Sequence, residues 1–250
     1  MSVALMATYP SPNIIVDGCD FDAGMLSRTS ALSGVSNSRT GILSCWFQPR
    51  QNTASITFLR GAGDQSLSFK RSPGGDGFSF PILILYNSSG TQIGNIFSDT
   101  HTPSNVGWYH LLVSWDLTNS YAHFYQNDAE SLDSGSLVLT DEDPVYTSSA
   151  TWEVGQSAAS YGDWQQAELY FAPGQYLDFS KVSNRRKFIN ESGKPVHLGS
   201  DGSLPTGTAP AIYQHLDDGE TAANYATNAG TGGNFSVDGT LATASTSPSG

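Results

Sequence analysis

The stretch Trp108-Tyr-His-Leu-Leu-Val-Ser-Trp-Asp116 alternates with period two. Tyr109, Leu111, Val113 and Trp115 fall on one face of a strand, and His110, Leu112 and Ser114 on the other. After a Leu-Thr-Asn-Ser link, Tyr121-Ala-His-Phe-Tyr-Gln126 runs back. The Asn127-Asp128 that follows suits a tight turn with positive φ. The reading is an antiparallel hairpin with one apolar face and one mixed polar and aromatic face.

Working outward, more strands come into view. Gly41–Phe47 is β-branched and aromatic and stops at Pro49. Residues 55–59 and 66–70 alternate, and Pro73-Gly-Gly-Asp-Gly77 marks a turn. Phe78–Tyr86 is a long apolar strand closed by Asn87-Ser-Ser-Gly90. Thr151–Gly155 and Trp164–Phe171 add two more. One helix is expected, at about 180–190, with Ser180 as its cap and Val182, Arg186 and Ile189 on one face. Beyond it the chain is turn-rich, with weak strands at Ala211–Leu216 and Asn234–Leu241, and residues 245–250 read as a tail. Short strands between frequent turns predict an all-β sandwich or jelly roll. Residues 1–250 form a single domain with its core at about 9–180.

Composition narrows the function. The 250 residues are ample for a core without metal or disulfide staples. Net charge is −12, and charged residues make up only 14% of the chain, so a helical protein is disfavoured. Nucleic acid is excluded as a partner, since phosphate neutralisation needs clustered cations. No apolar run approaches membrane-spanning length, and Met1–Ala7 is too short and lacks the basic flank of a signal peptide. The expectation is a chain made and kept soluble in a cytoplasm. The charge is segregated: +2 over residues 1–71, −13 over 72–180 with no Lys or Arg at all, +4 over 181–194 and −5 beyond. Such segments pair within one fold or between copies.

The residues also carry a resemblance. Trp108–Asp116 with its return strand and tight turn resembles the central signature of laminin-G-like domains in the concanavalin A-like jelly-roll superfamily. Val16-Asp-Gly18, the strand with Trp46, Trp152-Glu-Val-Gly155 and Trp164–Phe171 follow in the order such domains show. Tyr170–Asp178, Asn184-Arg-Arg-Lys-Phe-Ile189, Gly193-Lys-Pro-Val196, Gly199-Ser-Asp-Gly202, Pro205-Thr-Gly207 and Asn228–Gly233 are similar to structural proteins of tailed bacteriophages and prophages with this fold. That resemblance implies a concanavalin A-like antiparallel β-sandwich. It also implies a non-enzymatic accessory protein of the virion (collar, capsid decoration, tail or fibre), made in the host bacterial cytoplasm. Its partners would be other copies of itself, in a ring or trimer, and other virion proteins. The alternative is a glycan- or receptor-binding adhesive module on the virion surface, with host surface glycan as a partner.

Candidate sites follow. No Glu-x-Asp-x-x-Glu strand of the superfamily's glucanases is present, and the acids near Glu130, Asp133 and Glu142 lie in loops, so no catalytic residue is assigned. No Gly-x-Ser-x-Gly elbow or phosphate loop occurs. The mixed hairpin face offers His110, Tyr121, His123 and Tyr125 to a sugar. Arg185, Arg186 and Lys187 are candidates for docking the acidic segment of a neighbouring copy. Cys19 and Cys45 read as buried thiols, as an intrachain bond or as a bond between subunits. No metal is assigned. A structural Ca²⁺ is the one cofactor left open, with Asp76, Asp99, Asp116, Asp163 and Asp201 as scattered loop acids.

Overall fold

A computed structural model describes residues 15–50, 55–61, 66–73, 79–104, 106–147, 151–157, 160–161 and 163–250. The first part of the chain forms β1 (Val16–Asp17), β2 (Cys19–Arg28), β3 (Thr40–Pro49), β4 (Ile56–Gly61), β5 (Leu67–Pro73), β6 (Ser79–Tyr86) and β7 (Gln92–Phe97). The hairpin is β8 (Tyr109–Asp116) and β9 (Tyr121–Gln126), with β10 (Ala129–Glu130) folding back on it. Then come β11 (Val138–Leu139), β12 (Trp152–Val154), β13 (Gln156–Ser157), β14 (Ser160–Tyr161) and β15 (Trp164–Pro173). The closing segment holds α1 (Val182–Arg185), β16 (Ile212–Gln214), β17 (Leu216–Asp217), a 3₁₀ turn at Ala222–Ala226 and β18 (Ser236–Thr243).

One sheet runs β10-β9-β8-β3-β15-β2-β12-β4-β5-β6-β7-β11, with β16 on β15 and β18 on β2. It curls so that its two halves face each other across one core. Leu43, Val113 and Phe124 enter that core from one half, and Phe69, Leu83 and Ile96 from the other. Phe58 bridges the halves, 4.6 Å from the Phe47 ring and 5.4 Å from Trp164. The antiparallel jelly roll read from the sequence is the fold. The apolar face of the hairpin supplies Tyr109, Leu111, Val113 and Trp115 to the core, as alternation requires. Asn127 and Asp128 take φ of 49° and 67° at the predicted turn. Gly41 is needed for packing, because a Cβ there would lie 2.0 Å from the Trp115 ring.

Four details differ from the sequence reading. The helix is one turn, its N-cap is Lys181, and no side chain caps it; Ser180 instead bonds Asp178. Buried packing extends past residue 180 into the turn-rich closing segment, where Phe188, Leu198 and Tyr213 join Phe179 on the outer face of the first half-sheet. Residues 245–250 are docked: Ser247 Oγ donates to the Val16 carbonyl at 2.5 Å, and the Val16 N–H donates to Ser249 Oγ at 2.9 Å. The strands β2 and β7 lack a clear pattern in sequence. Residues 1–14 and 74–77, where the chain start and the Pro-Gly turn were read, lie outside the described residues.

Candidate functional site

The mixed face of the hairpin is divided by the covering segment. His110 is 1% exposed and stacks on Trp46, with centroids 4.6 Å apart. Its Nε2 lies 2.9 Å from Ser44 Oγ. Burial pushes the imidazole down to about 3, so it is neutral at physiological pH. Tyr125 is buried beneath the Arg185 guanidinium, which sits 4.4 Å from its ring centroid. Neither residue has the open ring face that a sugar platform needs. The physical reason is the apolar run in the segment after β15, which requires cover from the outer face of β3, β8, β9 and β15.

His110 has a consequence for stability. Its folded pKa lies below the unfolded value, so its contribution is complete above about pH 6.5 and is lost as pH falls towards 3. His110→Phe keeps the stack on Trp46 and removes the titration. Thermal melts are expected to show a shallower acid limb for the variant between pH 6.5 and 4. Parallel limbs would contradict this account.

The other two predicted residues remain accessible. Tyr121 is 58% exposed at the start of β9. His123, two residues on and on the same face, is half-buried. The covering segment brings Tyr176 and Asp178 to them. His123 Nε2 lies 3.1 Å from Tyr176 Oη and 3.3 Å from Asp178 Oδ1. The Ser180 hydroxyl and N–H both donate to Asp178 Oδ1, at 2.5 and 2.9 Å, and hold the carboxyl below its usual range. Burial, with Asp178, Asp116 and Tyr121 nearby, pushes Tyr176 up to about 12. Burial lowers His123, opposed by Asp178 and Glu130. The result is a protonated phenol, an imidazole and an anionic carboxylate beside an exposed aromatic ring.

A cleft of about 470 Å³ has Gln175, the chain neighbour of Tyr176, in its wall. Its walls come from residues 34–38, 173–175, 208–211 and 231, and carry the hydroxyls of Ser36, Ser38, Thr208 and Thr231 but no charge. Gln175 is fixed there, with Nε2 donating to the Thr208 and Ala209 carbonyls and Oε1 accepting from Thr206. Thr40 links the two features: it pairs with Asp116 in the β3–β8 ladder, and its carbonyl accepts the Gly174 N–H at 2.9 Å. Tyr121 and His123 are legible from alternation. Tyr176 and Asp178 are not, because only the return of the segment after β15 brings them near.

The remaining candidates have other roles. Arg185 Nε donates to Asp128 Oδ1 at 2.6 Å, Arg186 Nη1 lies 2.7 Å from Oδ2, and Lys187 Nζ donates to the Pro205 carbonyl at 2.6 Å. These cations are engaged within their own chain. Arg39 likewise pairs with Asp141 and Asp143, Arg50 with Asp163, and Arg60 with Glu153. Asp128, Asp141, Asp143, Glu153 and Asp163 of the acidic middle segment are therefore paired inside one fold by the basic segments on either side of it. Cys19 and Cys45 are free and fully buried. β15 lies between their strands, so they sit two strand spacings apart, about 9–10 Å. That exceeds the roughly 7 Å a disulfide spans, and burial rules out a bond to another subunit. Burial also pushes both thiols up, which leaves them inert.

Asp116 accepts from Asn119, Asp163 from Arg50, Asp201 from the Ser203 N–H and Asp99 from Thr100; Asp76 lies outside the described residues. Among the described residues no three of His, Cys, Asp or Glu gather to hold a metal ion. Glu142 accepts from Asn87, and Asp133 accepts the Gly135 N–H, in separate loops.

No family profile and no curated protein sequence matches the chain. Solved structures do. A candidate carbohydrate binding protein from Bacteroides ovatus ATCC 8483 superposes with a TM-score of 0.64 at 13% identity, over 94% of this chain and 61% of that one. This chain thus spans less than two thirds of that protein. The heptameric SAP-like pentraxin of Limulus polyphemus superposes with a TM-score of 0.55 at 14% identity, over 92% of this chain and 95% of the pentraxin. These likenesses show the jelly-roll fold.

Proposed function

We propose that this chain is a non-catalytic glycan-binding module whose site is the end of the sandwich formed by Tyr121, His123, Tyr176 and Asp178 with the adjoining cleft. One observation carries the reading: an exposed Tyr121 stands beside a fixed imidazole, phenol and carboxylate. The ring offers an apolar platform for the CH face of a sugar, and the polar groups match its hydroxyls. The uncharged, hydroxyl-lined cleft has no carboxylate pair to flank a glycosidic bond, which favours binding over hydrolysis. The description of the Bacteroides protein as carbohydrate-binding agrees with this reading. In the setting that the sequence resemblance implies, the surface of a tailed-phage virion, such a module attaches to host glycan. An assembly role anchored on the basic helix is less favoured, since Arg185 and Arg186 are occupied by Asp128 of the same chain.

A glycan array followed by titration tests this. The purified chain is expected to retain at least one glycan class. Tyr121→Ala and Asp178→Asn should each weaken that binding roughly tenfold, about 1.4 kcal/mol. No retained glycan, or binding indifferent to both substitutions, overturns the proposal.

A further inference from the structure

The second half-sheet has an outer face of its own. Thr57, Lys70, Ile82 and Phe97 are register partners across β4, β5, β6 and β7. Arg60, Ser68, Ile84 and Asn95 form the next row on the same face. Their neighbours Phe69, Leu83 and Ile96 point into the core. Lys70, Phe80, Ile84, Asn95 and Phe97 all keep partial solvent exposure, in contrast to the overlaid first half-sheet. The Phe80 and Phe97 rings lie 5.5 Å apart, and His101 meets Phe80 edge-on at 4.4 Å.

Lys70 is the unusual member. The arginines at 39, 50, 60, 185 and 186 each have an acidic partner. The Lys70 ammonium has none among the described residues, although the chain carries a net charge of −12. It stands half-buried between Thr57 and Ile82, two strands from Phe97. A cation held on an apolar and aromatic face, with no counter-charge among the described residues, is complementary to an anionic ligand that also has an apolar side.

We infer that this face binds an acidic oligosaccharide, with a carboxylate or sulfate on Lys70 and a neighbouring sugar ring against Phe97 and Phe80. The dimensions fit an oligomer. Lys70 and Phe97 are two strand spacings apart, about 10 Å, and the row of four spans about 14 Å. The partly exposed Asn95 supplies a hydrogen-bonding group along the way. A peptide is the poorer occupant. The main-chain groups of β5 and β6 are used on both edges, so no strand can add here, and the ligand is read by side chains alone. The inference rests on the glycan-binding reading above but uses a different face and different residues.

The test is an array that carries sialylated, uronate-containing and sulfated oligosaccharides beside their neutral counterparts, with an oligoglutamate peptide as the non-sugar polyanion. It is probed with the wild type, Lys70→Met, Phe97→Ala and Tyr121→Ala. The wild type should prefer at least one acidic glycan to its neutral counterpart. Lys70→Met should reduce that preference roughly tenfold or more, since a charge-assisted contact is lost. Phe97→Ala should weaken the same ligand. Tyr121→Ala should leave the acidic preference intact, so failure at one site is distinguishable from failure at the other. Lys70→Met keeps the stem and the fold, which thermal melts confirm; should Phe97→Ala not fold, the Lys70 comparison decides alone. No acidic preference in the wild type, a preference that survives Lys70→Met, or equal binding of oligoglutamate overturns the inference.

Discussion

Glu168→Gln is expected to make the protein more stable at pH 9 while leaving it nearly unchanged at pH 4. Glu168 is 4% exposed and occupies an irregularity of β15, where the register with β3 shifts between Ala167 and Tyr170. Its φ is 50°, a left-handed conformation uncommon for a residue with a Cβ. Tyr213 Oη donates to Glu168 Oε2 at 2.9 Å, and among the described residues no cation pairs with the carboxyl. Burial pushes its pKa up to about 8; the Tyr213 bond opposes this and Asp217 adds to it. The folded state therefore holds a proton that the unfolded chain releases near pH 4.5. The stability this group contributes is complete below about 4.5, falls between 4.5 and 8, and is lost above 8. The span corresponds to at most about 5 kcal/mol. Gln keeps an oxygen for Tyr213 and never ionises. Urea unfolding across this pH range should show the wild type falling away from the variant by a few kcal/mol. Parallel profiles would mean that the carboxyl is solvated or paired in solution.

Alternation made the hairpin legible because β8 and β9 are neighbours in sequence and one of their faces is fully apolar. The same logic located β3, β4, β5, β6, β12 and β15. It failed for β2. Cys19 and Phe21 do point inward there, but Gly24 and two aspartates interrupt the pattern. Gly24 is small for a reason found only in the fold: a Cβ would lie 2.6 Å from the Thr240 carbonyl oxygen of β18. A strand whose partner lies more than two hundred residues away leaves little local trace of its pairing. The terminal Ser-Thr-Ser-Pro run misleads for a related reason. Its composition suits a tail, yet its hydroxyls close hydrogen bonds with Val16, Gln48 and Trp108.

The same limit acts on the site. Four residues on one face of a hairpin are equivalent by periodicity. Only the covering segment separates buried His110 and Tyr125 from accessible Tyr121 and His123. That segment looks like turns because Gly and Pro punctuate it. Its apolar side chains are spaced for neither helix nor strand, since they pack one at a time on a sheet that is already formed. The charge pattern was more informative than the motifs. A middle stretch without cations, flanked by basic segments, anticipated the pairs that Arg39, Arg50 and Arg60 make with it from one side and Arg185 and Arg186 from the other.

Gly155→Ala is expected to destabilise the fold by about 2–5 kcal/mol. Gly155 closes β12, and its N–H donates to the Thr57 carbonyl at 3.1 Å. Its φ is 88°, where a Cβ costs about 1–2 kcal/mol. A Cβ there would also lie 2.0 Å from the ring of Phe21. Phe21 cannot easily retreat. It is fully buried, stacked on Trp164 with centroids 5.0 Å apart and packed edge-on against Tyr225. Overpacking of this kind adds about 1–3 kcal/mol. For a chain of this length the melting temperature should fall by roughly 4–20 °C. Phe21→Leu separates the two contributions. It removes the ring atoms that the new methyl meets but leaves the backbone conformation as it was. The double variant should therefore be more stable than the sum of the single losses predicts, by about 1 kcal/mol or more. Additive losses would assign the whole effect to the backbone. A neutral Gly155→Ala would mean that the turn after β12 relaxes away from Phe21, and that the glycine in the Trp152–Gly155 motif is not held there by the core.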